Sequence, residues 1–276
     1  MPTISPDPRR SVAESFGVDA ERYERARPRY PAALIERIAE RSPGPDVLDV
    51  GMGTGIAARQ LQAAGLRVFG VEPDARMAAV AERHGIGADV STLEAWDPAG
   101  RAFDAVVAGQ AWHWIDPVAG AAKAASALRP GGLLVPFWNA AIPPAEITDA
   151  LADAFDRVVP DSPFNLRALA GKEADTYLAM CDPAVEGMVA AKAFGEIERW
   201  RFDWEWRYTR EAWLDQLPTH GPMVRLPKEA VAEVVADVGA AVDAMGGAFT
   251  MRYSTPAVAA VRVADRWIRR VGISSS

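Results

Sequence analysis

The stretch Asp46-Val47-Leu48-Asp49-Val50-Gly51-Met52-Gly53-Thr54-Gly55 constrains this chain more than any other. Val47 to Val50 is an apolar run broken by one acid, the pattern of a buried parallel strand near its end. Three glycines follow at alternate positions, and Ile56 to Ala64 then takes on helical periodicity. A strand, a glycine turn and a helix put backbone N–H groups and a helix N-terminus where they can face a ligand. Glycine suits that turn because a Cβ would hold the ligand away from the backbone.

The spacing selects among ligands. A dinucleotide fingerprint would place its third small residue at position 56, which is Ile56. Here the third glycine comes one residue earlier. An apolar pair, an acid, one residue and Gly-x-Gly-x-Gly resembles the first motif of class I S-adenosylmethionine (SAM) methyltransferases. That resemblance implies that Asp49, Gly51, Gly53 and Gly55 hold the cofactor.

Later segments extend the resemblance. Arg67 to Val71 reads as a second strand ending in Glu72-Pro73-Asp74. A carboxylate there can accept hydrogen bonds from both ribose hydroxyls, as does the acid about 20 residues past a dinucleotide motif. Glu72 and Pro73 are therefore expected at the cofactor, and Asp74 is the natural cap of the helix that follows. In methyltransferases resembling this one, the loop after the third strand (Gly85 to Val90 here) holds the adenine. By position that implies Thr92 and Leu93, with Asp89 as an alternative acceptor.

Phe103 to Gly109 is a central fourth strand, opening into Gln110-Ala111-Trp112-His113-Trp114-Ile115-Asp116-Pro117. Open parallel sheets bind ligands beyond the carboxyl ends of their strands, where the strand order reverses. The loop is thus expected to face the transferred methyl group. It resembles the "Ala-aromatic-His-Trp" segment of the type-11 domain group of small-molecule methyltransferases. Gln110 is placed with the cofactor, and Trp112 and Trp114 with the substrate. His113 is either a substrate contact or catalytic base, or a ring that holds the loop.

Tyr23-Glu24-Arg25-Ala26-Arg27-Pro28-Arg29-Tyr30-Pro31 resembles the N-terminal segment that folds over the cofactor in many such enzymes. Tyr23 and Arg27 are then cofactor contacts and Tyr30 a substrate contact; otherwise the arginines form a solvated cluster capping a helix. His220, in Pro218-Thr219-His220-Gly221-Pro222, is a further candidate substrate contact. His84 closes a surface helix, where it suits the helix dipole.

These elements imply a Rossmann-like α/β fold of the class I methyltransferase type. It has a seven-stranded, mostly parallel sheet in the order 3-2-1-4-5-7-6, the last strand antiparallel, with helices on both faces and a helical insertion after strand five. Arg129-Pro130-Gly131-Gly132, another hallmark of the family, is expected as a turn before strand five, Leu133 to Trp138. A single domain is expected: a disordered tail (1–14), an N-terminal helical cap (15–45), the SAM-binding core (46–140), a helical insertion shaping the substrate pocket (141–195), and C-terminal strands and helix (196–276). Trp200, Phe202, Trp204, Trp206 and Tyr208 alternate with charged residues, so one sheet face is aromatic and is expected to be core.

Composition narrows the chemistry. The net charge of −7 over 276 residues argues against binding that depends on neutralising nucleic-acid phosphates. No Asn-Pro-Pro-Tyr-type base-reading motif follows strand four. Cys181 is the single cysteine, so no internal disulfide can form, and a buried thiol is expected there. No cluster of side chains has metal-ligand spacing. Met1 to Arg10 lacks the apolar core of an export signal, and no run approaches the roughly 20 apolar residues of a membrane span. The expectation is a cytoplasmic, SAM-dependent methyltransferase yielding S-adenosylhomocysteine, with a small-molecule acceptor methylated at oxygen. The alternatives are a SAM-binding protein without catalytic activity, or an NAD-dependent oxidoreductase.

Overall fold

A computed structural model describes residues 14–160 and 179–264. The expected N-terminal tail up to residue 13, residues 161–178 of the expected insertion, and residues 265–276 lie outside the described residues. A 3-10 turn, Glu14–Asp19, leads into α1 (Ala20–Ala26), α2 (Ala32–Arg41), β1 (Asp46–Val50), α3 (Ile56–Ala63), β2 (Arg67–Glu72) and α4 (Ala75–Arg83). Next come β3 (Ala88–Val90), β4 (Phe103–Gly109), α5 (Pro117–Ala127), β5 (Leu128–Phe137) and β6 (Ala140–Ile142). The remainder includes α6 (Ala145–Val158), α7 (Asp182–Ala191), β7 (Phe194–Thr209), α8 (Arg210–Gln216), α9 (Lys228–Ala244) and β8 (Ala248–Arg262).

The strands run in the order β3-β2-β1-β4-β5-β8-β6, with β7 paired to β8. The parallel run 3-2-1-4-5 and the antiparallel last strand beside β5 are as expected. The difference is an eighth strand. Ala140–Ile142 pairs antiparallel with β8, Ala140 opposite Ser254, and occupies the place expected for strand six. A second difference concerns Arg129 to Gly132, expected as a turn. They are drawn into β5, which begins at Leu128 opposite Phe103; the register then shifts so that Ala105 meets Leu133. Gly131, at φ +82°, allows the irregularity.

The described residues divide into two compact units. The larger comprises residues 29–139, 179–202 and 255–264. Its strands alternate between two cores, as a sheet covered on both faces must. Val47, Ala105, Val107, Leu133 and Val135 meet Leu34 and Ile38 of α2, Leu61 of α3 and Ala78 of α4. Leu48, Val50, Val106, Ala108 and Leu134 meet Ala121 and Ala124 of α5 and Ala184 and Met188 of α7. Cys181 lies in that second core, and burial pushes its thiol up to about 11.

The smaller unit comprises residues 14–28, 140–160 and 203–254. Its core joins Ile147 and Phe155 of α6 to Val234, Val238 and Val242 of α9, with Tyr208, Trp213, Phe249 and Tyr253. The aromatic row on β7 is core at Trp200 and Tyr208, but Trp206 is 53% exposed. Strict alternation assigns a residue to a face and leaves open how deeply that face is covered. Among the described residues, no helix is long and apolar enough to cross a membrane.

In the larger unit, α5 and α7 meet so closely that a Cβ on Gly187 would lie 2.0 Å from the Pro117 carbonyl oxygen. Backbone cannot yield as a flexible side chain does. Gly187→Ala is expected to cost about 1–3 kcal/mol in urea unfolding; an unchanged midpoint would show that the two helices are not seated in this way.

Candidate functional site

The glycine turn depends on left-handed backbone. Gly51, Gly53 and Gly55 have φ of +62°, +58° and +84°, a region costly for residues with a Cβ. Each glycine has its own packing. A Cβ on Gly51 would meet the Ala111 Cβ at 2.5 Å, and one on Gly55 would meet the Ile86 Cδ1 at 2.6 Å. Around Gly53 only the Met77 Cε comes near, at 3.4 Å, so this is the glycine whose bare backbone is left for a ligand. Gly55 caps α3, whose first N–H groups complete the cradle.

Glu72 ties this turn to the end of β2. Its Oε2 accepts from Gly53 N–H at 2.8 Å and its Oε1 from Asp74 N–H at 2.9 Å. Burial pushes the Glu72 carboxyl up to about 7, against the two N–H groups that favour its ionised form. Asp49 lies beneath the turn, 1% exposed, with neither carboxylate oxygen hydrogen-bonded. Burial, reinforced by the charge of Glu72, raises it to about 8. Pro73 is half-buried next to them. Asp74 caps α4 as expected, accepting from Arg76 N–H at 2.9 Å.

The loop after β3 divides its roles differently from expectation. Thr92 is half-buried, and its Oγ1 accepts from Ala95 N–H at 3.4 Å. The Leu93 side chain, at 2% exposure, belongs to the core, so only its backbone is available to a ligand. Asp89 is committed to Trp96 Nε1 at 2.8 Å and to Arg101. This removes it as a free adenine acceptor.

The loop after β4 is seated against the glycine turn through Ala111. Gln110 opens it with φ +56°, uncommon for a residue with a side chain, and donates Nε2 to the Asn139 carbonyl at 2.8 Å. Trp112 corrects the expectation of a substrate contact. It is among the largest fully buried side chains, with its indole N–H unpartnered. Trp114 is half-buried, its ring centroid 4.4 Å from that of His113.

His113 carries a consequence for chemistry. The indole N–H of buried Trp138 donates to His113 Nδ1 at 3.2 Å. Indole can only donate, so Nδ1 must be the unprotonated nitrogen and the ring proton sits on Nε2. The protein around the ring lowers its pKa to about 4, although the residue keeps solvent contact. A neutral imidazole in this tautomer presents an N–H donor, and its one free lone pair is occupied. With that lone pair engaged by Trp138, Nδ1 is not free to take a proton as a base.

Tyr30 is held by a clasp that the sequence did not reveal. The Gln60 amide accepts from Tyr30 N–H at 2.9 Å and donates to the Tyr30 carbonyl at 2.8 Å. The Tyr30 ring packs edge-on against Phe137 at 4.7 Å, and a Cβ on Gly109 would be 2.8 Å from its hydroxyl. Tyr30 thus reaches the end of β4. Asn139 was also missed: it donates to the Arg29 carbonyl at 3.2 Å and accepts from Thr255 Oγ1 at 2.7 Å.

Tyr23, Arg27 and His220 belong to the smaller unit. Arg27 lies over the Tyr23 ring at 4.9 Å and donates to the Thr219 carbonyl. His220 faces Gln216 Nε2 at 3.1 Å; burial first, then the charge of Arg27, lowers it to about 3. His84 is the C-cap residue of α4. Among the described residues, no group of His, Cys, Asp or Glu could hold a metal ion.

Against known proteins, residues 23–140 match the family described as "Methyltransferase domain". The sheet order and the glycine turn of that region agree with a methyltransferase domain of the class I type. An uncharacterized methyltransferase of Mycobacterium tuberculosis is 38% identical over 136 residues, covering 48% of this chain and 54% of that one. A ubiquinone biosynthesis O-methyltransferase of Methylocella silvestris is 38% identical over 95 residues, covering 32% of this chain and 37% of that one. This chain thus spans about half the length, or less, of the curated relatives it matches. A candidate type II methyltransferase from Anaeromyxobacter dehalogenans superimposes with a TM-score of 0.60 at 25% identity, over 86% of this chain and 97% of that one. The cyclopropane synthase MmaA2 of Mycobacterium tuberculosis shares the fold, with a TM-score of 0.52 at 14% identity over 92% of this chain and 100% of that one.

The acids and the imidazole each predict a titration. An acid whose folded pKa exceeds its unfolded value binds its proton more tightly when native. Stability is then greatest below the ordinary carboxyl range and is lost as pH rises towards the folded pKa. For Asp49 that window runs from about 4 to about 8. Each pH unit within it is worth about 1.4 kcal/mol. Asp49→Asn is expected to flatten the fall in urea midpoint between pH 5 and pH 8; a parallel fall in both proteins would place a different environment around Asp49. The Trp138 N–H opposes protonation of His113, so Trp138→Phe is expected to raise the His113 pKa in a proton NMR titration. The unchanged value would mean that Trp138 does not set the tautomer.

Proposed function

We propose that this protein transfers a methyl group from S-adenosylmethionine to a small-molecule acceptor, at oxygen. The observation that carries this reading is the left-handed glycine turn whose Gly53 N–H is fixed by Glu72, with unpartnered Asp49 buried beneath it. The residues fit the cofactor: Gly51 and Gly55 fix the turn, Gly53 leaves bare backbone beside the N-terminus of α3, and Glu72 stands at the carboxyl end of β2, where ribose hydroxyls are bound in related sheets. Pro73, Thr92, the Leu93 backbone and Gln110 complete the cofactor contacts. When bound, the cofactor supplies a methyl group on a sulfonium sulfur that is already a good leaving group.

The chain's own work is orientation and exclusion of water. Tyr30, clasped by Gln60, and Trp114 border the end of β4 and are assigned to the acceptor. His113, with its proton held on Nε2, donates a hydrogen bond to the acceptor and orients it. It removes no proton, so the acceptor oxygen must arrive ionised or lose its proton to solvent. Methylation at oxygen is supported by the similarity to the Methylocella silvestris relative, a ubiquinone biosynthesis O-methyltransferase. Ile56 in place of the third dinucleotide glycine weighs against NAD, its side chain only 9% exposed.

Calorimetry with S-adenosylhomocysteine is the direct test. Micromolar binding is expected, weakened at least tenfold in Gly53→Val and in Glu72→Ala, with no heat from NAD. Heat from NAD instead would end this reading. With an acceptor in hand, His113→Gln, which keeps an N–H donor, should retain turnover that His113→Ala loses; equal loss in the two would restore a base role.

A further inference from the structure

Asp49 stands level with Gly70 on β2 and Val107 on β4, so neither neighbouring strand brings it a charge there. Both of its carboxylate oxygens are buried and unpartnered, and so is Thr54 Oγ1 in the turn that follows. Alternation puts Asp49 on the face of Val47, which α2, α3 and α4 cover. Those helices commit their charges elsewhere. Arg59 of α3 donates to the Thr54 carbonyl, Arg76 of α4 is engaged by Asp74, and Arg41 of α2 pairs with Glu198. Arg37 of α2 lies over the Trp200 ring, while Arg29, Glu36, Glu40, Glu82 and Arg83 are exposed. In the loop after β4, His113 is kept neutral by its surroundings and Asp116 caps α5. The charge that does act on Asp49 is that of Glu72, which itself stands beside Asp74.

A carboxyl so placed holds its proton. Burial first, then Glu72, raises Asp49 to about 8, and burial raises Glu72 to about 7 against its two N–H donors. A cation above the turn reverses that balance, because an opposite charge favours the ionised form of an acid. In a protein interior the attraction is weakly screened and reaches past the first contact. The coupling is reciprocal: a ligand that drives the acid to ionise is itself bound more tightly once the acid has ionised. Gly53 leaves bare backbone for a ligand on the turn that Asp49 underlies. S-adenosylmethionine and its product differ by one methyl group and by one positive charge, on the sulfur.

We propose that Asp49 discriminates between the two by charge, releasing its proton to solvent when the sulfonium cofactor binds over the turn and keeping it when the neutral sulfide product does. At 1% exposure Asp49 touches neither ligand and acts through its field. The ribose hydroxyls are common to both ligands, so any proton that Glu72 loses to them is lost alike in the two complexes. Methyl transfer removes the positive charge, Asp49 regains its proton, and the product is held less tightly than the cofactor it came from. The inference rests on S-adenosylmethionine as the cofactor and needs no particular acceptor.

Calorimetry without an acceptor, so that neither ligand is consumed, measures both affinities at pH 6 and pH 8 for the wild type and Asp49→Asn. Protons released on binding are counted from the heats in phosphate and in Tris, two buffers of different ionisation enthalpy. The amino group of each ligand titrates alike against both proteins, so the difference between the proteins isolates Asp49. Between pH 6 and pH 8 the preference for S-adenosylmethionine over S-adenosylhomocysteine is expected to rise at least fivefold more in the wild type than in the variant. At pH 7 the wild type should release about half a proton more than the variant on binding S-adenosylmethionine, and an equal number on binding S-adenosylhomocysteine. The proposal is overturned if the preference varies with pH alike in both proteins, or if losing Asp49 changes proton release equally for the two ligands. Circular dichroism melting checks that the variant is folded. Should it not fold, the wild type decides: a preference no steeper with pH than the separately titrated ligand amino groups dictate also overturns the proposal. Binding of neither ligand would instead end the cofactor reading, and this inference with it.

Discussion

Two backbone N–H groups, from Gly53 and Asp74, converge on the carboxylate of Glu72, and the geometry of the candidate site follows from that meeting. One N–H belongs to the glycine turn after β1 and the other to the start of α4. Their shared acceptor therefore holds two loops in register at the carboxyl ends of neighbouring strands. Gly51 N–H adds a bond to the Val71 carbonyl at 2.8 Å, and Ala111 closes on Gly51 from the loop after β4. Three segments separate in sequence thereby meet at one point. A hydrogen bond to a charged group is worth about 1.5–3 kcal/mol, enough to hold a turn whose φ values are unfavourable for other residues.

Four ionisable groups of the larger unit share a pattern: protein around them suppresses charge. Asp49 and Glu72 are raised, His113 is lowered, and the Cys181 thiol is raised. For His113 the pattern decides chemistry, because Trp138 also chooses which nitrogen carries the proton. The smaller unit repeats the suppression at His220 and the tyrosines.

Much of this architecture was legible in the linear pattern. Alternation along β1, β4 and β5 identified strands covered on both faces, and Gly51, Gly53 and Gly55 marked the turn before its φ values were known. Less legible were features that depend on neighbours distant in sequence. Trp112 and His113 are adjacent, yet one ring enters the core and the other faces out. Aromatic residues serve both ends equally well, so type and spacing could not divide them. Gln60 and Asn139 escaped notice because a side-chain amide announces nothing until its partners, Tyr30, Arg29 and Thr255, are brought alongside. The short strand β6 was hidden for the same reason, since three residues become a strand only when β8 lies beside them.

By itself the sequence determined the class of sheet, the position of the glycine turn and the acid at the end of β2, because each is a local consequence of hydrophobic period and backbone freedom. Tertiary structure alone decided protonation and partnership: that neither carboxylate oxygen of Asp49 is hydrogen-bonded, and that the His113 ring proton sits on Nε2. Such properties reside in the field and the hydrogen bonds that surrounding elements create, and these exist only once the chain has folded.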